Sequence, residues 1–413
     1  MSAFLEFHLI QNFAPSNLNR DDTGSPKDAI FGGQRRARVS SQCFKRSIRM
    51  MARDHGLIPS MHLGVRTKRL KEILLERLVD RDPRDAEAKI EAALGAAGLK
   101  LKEDGKTEYL LFLGEGEIAE FASLVAEHWD ALPIGGDKKG KKDVKSALPS
   151  ELVKKAQALL DGGKAVDVAL FGRMLADLPV ANQNAACQVA HAISTHRVER
   201  EFDYFTAVDD LRGDDETGAG MIGQVEFNSA TFYRYAVLDL NKLHENLQGD
   251  GDLVVCAAEA FAKAMALAVP SGKQNTFAAQ NLPEFIGISL RRGVPMSLAN
   301  AFEKPVAARQ DRGLLEQSVE RLAQYDNKVS AVYGSDHDRW LVLDMTGCWP
   351  DGKGDKVPRL DALTEQVRAM AVSALGGVTW RRCCCNCTVR CNRGGRRAAM
   401  MSVIPSLSRP SPV

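Results

Sequence analysis

Residues 19–49 limit the folds open to this chain, because they link a strand-like segment to the start of a helix through a strongly basic stretch. Eight of these residues are basic and three are acidic, so the segment carries a formal charge of 8 − 3 = +5. The whole 413-residue chain carries only +2. A near-neutral protein with one concentrated basic segment is suited to hold a polyanion along a defined track.

The residues in and before this stretch predict a strand, a bend and a helix in that order. Phe4 to Ile10 alternates apolar and polar side chains, which predicts a half-buried strand. Gly32 and Gly33 provide a flexible bend, and Ser40 or Ser41 can cap the N-terminus of a helix.

The predicted helix has two chemically different faces. At about 100° per residue, Phe44, Ile48 and Met51 fall on one side. The polar and basic residues on the opposite side are Gln42, Lys45, Arg46, Arg49 and Arg53. We therefore expect one face to enter the core and the other to face an anionic ligand.

Composition indicates a globular protein. The chain has 45% hydrophobic and 26% charged residues, enough for one large core or two moderate ones. The longest apolar stretch, residues 253–269, is interrupted by Glu259 and Lys263, so no membrane span is predicted. The N-terminus lacks a basic region followed by an apolar run, and a cytoplasmic location is expected.

The cysteines fall into two groups. Cys43, Cys187, Cys256 and Cys348 stand singly among apolar or helical neighbours and are expected to be reduced. The other five lie in residues 377–413, a basic tail that we expect to be disordered. Its C-x2-C-x3-C spacing has no fourth ligand at zinc-module spacing, so no metal site is predicted.

Residues 57–164 are mostly helical and charged in pattern, which predicts an inserted helical lobe. Within it, GGDKKGKKDVK places five lysines and three glycines in residues 135–145. Gly140 and Lys141 fit part of a phosphate-binding loop, but Lys142 stands where Ser or Thr would hold magnesium. Nucleotide hydrolysis is therefore not predicted. The lysine-rich segment instead predicts sequence-independent contact with nucleic acid.

The second half of the chain predicts further parts of a mixed α/β fold. Residues 166–174 are strand-like, and the segment around Tyr204 and Phe205 begins a long hairpin with an acidic, glycine-rich turn. Aromatic rings usually enter a core, but rings exposed beside a cationic track would stack on bases. Residues 231–240, 253–269 and 284–291 predict a β-α-β unit. Together with the N-terminal strand and helix, this unit would form a ferredoxin-like sheet.

Several ordered blocks carry a resemblance to a known family. LNRDD, KDAIFGG, RRARVSSQ and FKRSIR near the N-terminus resemble the backbone subunit of the type I-E CRISPR Cascade complex, the CasC family. The likeness continues in LFGRMLAD, DYFTAVDDL, FNSATFYRYA, PSGKQNTFAAQNLPEF and SLANAFEKPV, and it extends to about Ala374.

The resemblance implies an α+β protein of the RAMP superfamily, shaped like a right hand. The implied parts are a ferredoxin-like (RRM-like) palm in residues 1–56, 165–200 and 231–376, a helical finger lobe in residues 57–164, and a β-hairpin thumb in residues 201–230. Residues 377–413 have no counterpart in the family. The resemblance also implies that the subunit is not an enzyme and needs no cofactor.

The resemblance also implies partners and site residues. Several copies polymerise along one crRNA, together with a large subunit, small subunits, a 5′-handle-binding subunit and a crRNA-processing endoribonuclease, and target DNA binds the assembly. The implied crRNA-phosphate contacts are Arg20, Lys27, Ser40, Gln42, Lys45, Arg46 and Arg49. The implied contacts of the thumb with RNA bases are Met174, Tyr204 and Phe205. The target-DNA contacts that fit the same scheme are Lys138, Lys139, Lys141 and Lys142.

An alternative function is metal-dependent RNA cleavage. Asp21, Asp22 and Asp28 lie in the basic segment, and a nuclease needs carboxylates on a divalent ion near the scissile phosphate. The neighbouring basic side chains can pair with these aspartates instead, and no His or Glu cluster completes a site in the segment. His191 and His196 are five residues apart, not the four of a helical metal pair.

Overall fold

A computed structural model describes residues 2–133, 150–158, 160, 163–175, 179–207, 210, 221–334 and 339–376. The strands are β1 (Ala3–Ser16), β2 (Asp28–Phe31), β3 (Gln34–Val39), β4 (Gly64–Thr67), β5 (Leu111–Gly114), β6 (Cys187–Val189), β7 (Ala192–Ser194), β8 (Glu201–Ala207), β9 (Met221–Asp239), β10 (Phe285–Arg292), β11 (Arg339–Asp344) and β12 (Asp355–Lys356). The α-helices are α1 (Ser41–Asp54), α2 (Leu70–Arg77), α3 (Pro83–Ala97), α4 (Glu115–Glu127), α5 (Ser150–Ala158), α6 (Val166–Phe171), α7 (Leu240–Asn246), α8 (Gly251–Leu267), α9 (Gln274–Phe277), α10 (Leu314–Tyr333) and α11 (Leu360–Ala374).

One large sheet organises the molecule, which confirms the predicted mixture of helices and sheet. Its strand order is β12-β11-β10-β1-β9-β7-β3-β2, and β6 and β8 also pair with β9. The central strand β1 is antiparallel to both neighbours, so that Phe7 lies opposite Ile288 on one side and Ala236 on the other. The basic segment therefore leaves the sheet at the end of β1 and returns to it through β3.

The structure confirms the predicted helix start. Ser40 is the N-cap of α1, and its Oγ accepts a hydrogen bond from the backbone N–H of Cys43 at 3.3 Å. Phe44 and Ile48 are buried, and Met51 is half-buried. The predicted β-α-β unit is present as β9, α8 and β10. Its boundaries lie within a few residues of the predicted ones, except that β9 begins at Met221, well before the predicted residue 231.

The prediction that β1 is half-buried is wrong. Leu5, Phe7 and Leu9 pack against the cluster built on α8 and α11, as the alternation indicates. However, Glu6 and His8 on the other face are also fully buried, because α10 and the turn before it cover that side of the sheet. Burial lowers the pKa of His8 to about 4.

The prediction of a strand over residues 166–174 is also wrong, because Val166–Phe171 forms the helix α6. All six of its residues are buried, and a short run buried on every side has no periodicity that separates helix from strand. Gly172 ends the helix at a φ of 73°, a conformation that glycine adopts without strain.

Residues 57–164 build a cluster of their own around Leu74, Ile90, Leu94 and Phe121. Besides the predicted helices, this segment contains the two-stranded sheet of β4 and β5. Lys138, Lys139, Lys141 and Lys142, like the tail of residues 377–413, lie outside the described residues. Among the described helices, none is both long and apolar enough to cross a membrane.

Candidate nucleic-acid interface

Some basic side chains of residues 19–49 serve the fold. Arg36 is buried and donates to the carbonyl oxygens of Ser194 at 2.9 Å and Phe302 at 2.8 Å. Arg35 forms an ion pair of 2.7 Å with Asp28 on the neighbouring strand. Arg36 therefore connects the basic segment to β7 and to the chain at Phe302, and Arg35 joins β3 to β2 within the segment.

Arg49 belongs to this structural group as well, unlike its predicted role in binding phosphate. Its Nε lies 2.9 Å from Asp167 Oδ2 in an ion pair whose side chains are 12% and 6% exposed. Its Nη2 donates to the carbonyl oxygen of Gly64, and its guanidinium lies 4.3 Å from the ring centroid of Phe112. The structure therefore separates Arg49 from the other predicted phosphate ligands.

The remaining basic residues of this segment have no carboxylate partner among the described residues. Arg20, Lys27, Lys45 and Arg46 form no ion pair with any described residue. Lys45 lies 5.6 Å from the ring centroid of Phe171. Unpaired cations in one segment are the side chains available to an anionic ligand.

Arg20 stands between two depressions that together form what we call the basic groove. The first, of about 350 Å³, is lined by Leu18, Asn19, Arg20, Asp21, Cys43, Arg46, Ser47, Ser271 and Gly272. The second, of about 260 Å³, is lined by Arg20, Thr23, Gly24, Ser25, Gln224, Val225, Glu226 and Lys273. The groove thus runs from α1, past Arg20, to the base of the β8–β9 hairpin.

The predicted ligands Ser40 and Gln42 lie at the start of α1. The Ser40 N–H donates to Asn19 Oδ1 at 2.9 Å, and its hydroxyl oxygen caps the helix. Gln42 is exposed. The Lys27 N–H donates to the carbonyl oxygen of Asn19 at 2.9 Å, so Asn19 joins the chain at Lys27 to the helix start.

Lys273 is a groove residue that the sequence did not predict, although it lies in a block that carries the family resemblance. It adopts a left-handed φ of 50°, and Ala278 in the same loop adopts 47°. Non-glycine residues in this region cost about 1–3 kcal/mol each and concentrate at functional sites. Gln274 holds the loop by donating to the carbonyl oxygens of Pro270 and Ala279. The signal in the sequence is the Ser-Gly-Lys turn.

Two of the three aspartates of the alternative nuclease site already form hydrogen bonds or ion pairs within the protein. Asp21 Oδ1 accepts from the Thr23 hydroxyl at 2.7 Å and from the N–H groups of Thr23 and Ser25 at 3.0 Å. The Thr23 hydroxyl is the main reason that the pKa of Asp21 lies below its usual value. Asp28 pairs with Arg35 and, at 3.0 Å, with Arg200. Asp22 is exposed.

The β8–β9 hairpin presents aromatic rings to solvent. Tyr204 is 65% exposed and Phe205 is 40% exposed. They face opposite sides of the strand, and Phe205 lies over Gly223, where a Cβ would fall 2.3 Å from the ring. Phe202, 60% exposed on the same side as Tyr204, was not predicted, although the two-residue period of a strand could have indicated it.

Met174 is exposed between two anchored residues. Arg173 beside it is buried, pairs with Glu117 at 2.9 Å and donates to the carbonyl oxygen of Ala181. The Leu175 N–H donates to Asn182 Oδ1 at 2.6 Å. The backbone around Met174 is therefore fixed while its side chain remains 80% exposed.

Comparison with known proteins identifies the family. Residues 5–366 match the family described as CT1975-like protein. The chain belongs to the CT1975-like family. No curated protein matches this CT1975-like chain.

Two solved structures resemble this member of the CT1975-like family. A chain of a "CRISPR RNA-guided surveillance complex, pre-nicking" shares 32% identity and a TM-score of 0.76, covering 89% of this chain and 100% of the other. A chain of a "CRISPR RNA-guided surveillance complex" has 28% identity and a TM-score of 0.69, and the match covers 89% of this chain and 99% of the other. These matches identify a Cas-type protein.

The groove of this CT1975-like protein does not lie on an open sheet face. One face of the sheet packs against α8 and α11, and the other packs against α10. The groove residues come instead from the loop after β1, from α1, from the loop around Lys273 and from the hairpin end of β9. The described residues therefore do not offer rings on a bare sheet face, as RNA-recognition motifs do, and the groove lies at the rim of the sheet.

Proposed function

We propose that this chain is the non-catalytic backbone subunit of a type I-E CRISPR interference complex of the CasC family. Several copies polymerise along one crRNA, hold its phosphates, present the guide for pairing and help to bind target double-stranded DNA in antiviral defence. The observation that carries this proposal is the basic groove, in which Arg20, Arg46 and Lys273 form no ion pair with another described residue.

The chemistry of the groove suits a guide of variable sequence. Arginine and lysine side chains contact phosphates, and such contacts do not depend on the bases. The pairing edges of the guide then stay free to read a target. The rings of Phe202, Tyr204 and Phe205, together with Met174, supply apolar surfaces against which bases pack.

The strand order supports the palm of the proposed right-hand shape. Read through β6, the sheet has the order β10-β1-β9-β6 with antiparallel neighbours, and α1 and α8 pack on the same face. This is the order of a split β-α-β sheet. The exposed β8–β9 hairpin corresponds to the thumb, and the cluster in residues 57–164 corresponds to the finger lobe.

The hydrogen bonds and ion pairs of Asp21 and Asp28 favour binding over cleavage. A carboxylate that accepts three hydrogen bonds within its own loop, or pairs with two arginines, is poorly placed to bind a divalent ion as well. Incubating the complex with complementary labelled RNA and Mg²⁺ tests this point. Cuts at regular spacing would favour the nuclease.

The proposal is tested by expressing the chain with its neighbouring genes and sequencing the RNA that copurifies. We expect a uniform small RNA with repeat-derived ends, and its loss from an Arg20→Glu, Arg46→Glu variant. A matched control reverses the exposed Arg309 and Lys328, which lie outside the groove, and should retain the RNA. RNA of random length, or equal retention by both variants, would contradict the proposal.

Target-DNA contact by Lys138, Lys139, Lys141 and Lys142 remains a prediction from the sequence. The test is DNA capture by an assembled complex that carries Ala at all four positions. Because lysine–phosphate contacts depend on salt, the loss should be largest at low salt. Unchanged capture at low salt would contradict the prediction.

A further inference from the structure

Arg38 of β3 lies close to Lys27, which precedes β2, and to His191, which precedes β7, beside the basic groove. The Arg38 N–H donates to the carbonyl oxygen of Lys27 at 2.9 Å, which continues the β2–β3 register by one pair. On its other side, Arg38 lies opposite Ile193 of β7. His191 precedes β7, and its Nδ1 lies 3.2 Å from Arg38 Nη1.

Within the part of the chain that the structure describes, no carboxylate forms an ion pair with this cluster. Asp28, the nearest carboxylate in sequence, pairs with Arg35 and Arg200. Neither Lys27 nor Arg38 forms an ion pair within the described ranges of the chain. Like charges on directly opposed strand residues destabilise a sheet, and an anion between them removes that cost.

The cluster is also held in place. Arg38 Nε donates to the carbonyl oxygen of Asp28 at 3.1 Å, which fixes the plane of the guanidinium. Asn19 connects the cluster to the groove, because it accepts from the Lys27 N–H and also lines the first depression beside Arg20. An anion bound here would therefore be a neighbour of one bound at Arg20.

We propose that Lys27, Arg38 and His191 bind one backbone phosphate of the guide RNA, and that His191 takes up a proton from solvent when the phosphate binds. The inference rests on the proposed RNA-binding function and adds Arg38 and His191 to it. With His191 neutral, Nδ1 accepts a hydrogen bond from Arg38. Once Nδ1 is protonated, His191 and Arg38 can both donate to phosphate oxygens.

The surroundings of His191 determine the direction of the pH effect. Partial burial, followed by the positive charges of Arg38 and Lys27, holds the pKa of His191 below its usual value. A bound phosphate opposes these charges and raises the pKa of His191. RNA affinity should therefore increase as the pH falls.

The experiment measures binding of a labelled single-stranded RNA to the full chain by fluorescence anisotropy at constant ionic strength, from about pH 8 to about pH 6, where histidine titrates. We expect wild-type affinity to rise by about threefold or more over this range, since a tenfold change corresponds to one pH unit of pKa difference. His191→Gln should remove this rise. His55→Gln, a control at an exposed position at the other end of α1, should keep the rise.

Each outcome separates this inference from the proposed function. RNA binding with no pH dependence, or with the same dependence in His191→Gln, overturns the phosphate site and leaves the groove intact. Failure to bind RNA at any pH overturns the proposed function itself. A His191-dependent pH effect seen only with duplex DNA would assign the site to DNA and overturn the inference as well. Selective ¹³C labelling of histidine provides a second readout, because RNA should raise the pKa of His191.

Discussion

Gly272 lies against the backbone of Leu18, and a Cβ on Gly272 would fall 2.2 Å from the Leu18 carbonyl oxygen. This contact presses the loop of residues 270–280 onto the chain that leaves β1. It thereby sets the distance between Lys273 on one side of the groove and Arg20 on the other.

Gly272→Ala should weaken RNA binding because the loop must move away from Leu18 to admit the methyl group. We expect about a tenfold loss of affinity, which corresponds to about 1.4 kcal/mol, together with a lower melting temperature. RNA anisotropy and thermal unfolding of the full chain measure the two effects. The control is Gly95→Ala in α3, where a Cβ meets open space and helix propensity favours alanine. Equal RNA affinity of Gly272→Ala and wild type would contradict the prediction.

Arg46 and Arg49 are three residues apart on α1, yet they should respond differently to substitution. Arg49→Gln leaves Asp167 as an unpaired buried charge and should lower the free energy of unfolding by about 3 kcal/mol. Arg46→Gln removes an exposed groove cation and should weaken RNA binding while changing stability by less than about 0.5 kcal/mol. Urea unfolding and RNA anisotropy of the two variants distinguish these roles. Similar stability of both would show that the Asp167 contact does not support the fold.

Only part of this difference could be predicted from the sequence. The cap at Ser40 and the faces of α1 depend on neighbours a few residues away, and both were predicted. The partner of Arg49 lies 118 residues along the chain, and periodicity contains no information about such a contact. Likewise, the burial of Glu6 and His8 depends on α10, which begins at Leu314, and the helix over 166–171 is hidden by burial on all sides. Lys273 was missed because its importance lies in its backbone conformation and its place across from Arg20.

Acidification should destabilise the protein through His8. Its pKa of about 4 in the folded state lies below the ordinary 6.5, so the unfolded chain binds more protons between these values. Stability is therefore complete above about pH 6.5 and declines towards pH 4, with about 3 kcal/mol lost from this residue. His8→Gln keeps an acceptor for the Tyr233 hydroxyl and should flatten this part of the stability curve. The control variant His244→Gln should not flatten this part of the stability curve. Urea unfolding at several pH values provides the comparison, and identical slopes for wild type and His8→Gln would contradict the assignment.

The rings on one side of β8 should contribute to RNA affinity as a pair. Replacing Phe202 and Tyr204 by Ala removes exposed apolar surface, so the fold should be little affected, while stacking on bases would be lost. We expect a loss of about 1–3 kcal/mol in RNA binding for each base that stacks. Tyr333→Ala on α10, another exposed ring, is the matched control and should leave affinity unchanged. If the control and the double variant bind equally, the hairpin does not contact the RNA.

The helix α10 has a practical consequence for redesign. Since it seals the second face of the sheet, the groove cations are not among the buried side chains that hold the sheet together. Groove charges at Arg20, Arg46 and Lys273 can therefore be altered, to weaken or strengthen the proposed binding of nucleic acid, without repacking the interior. Arg49, like the buried Arg36, should be left unchanged, because its sequence position suggests the groove but its partners belong to the scaffold.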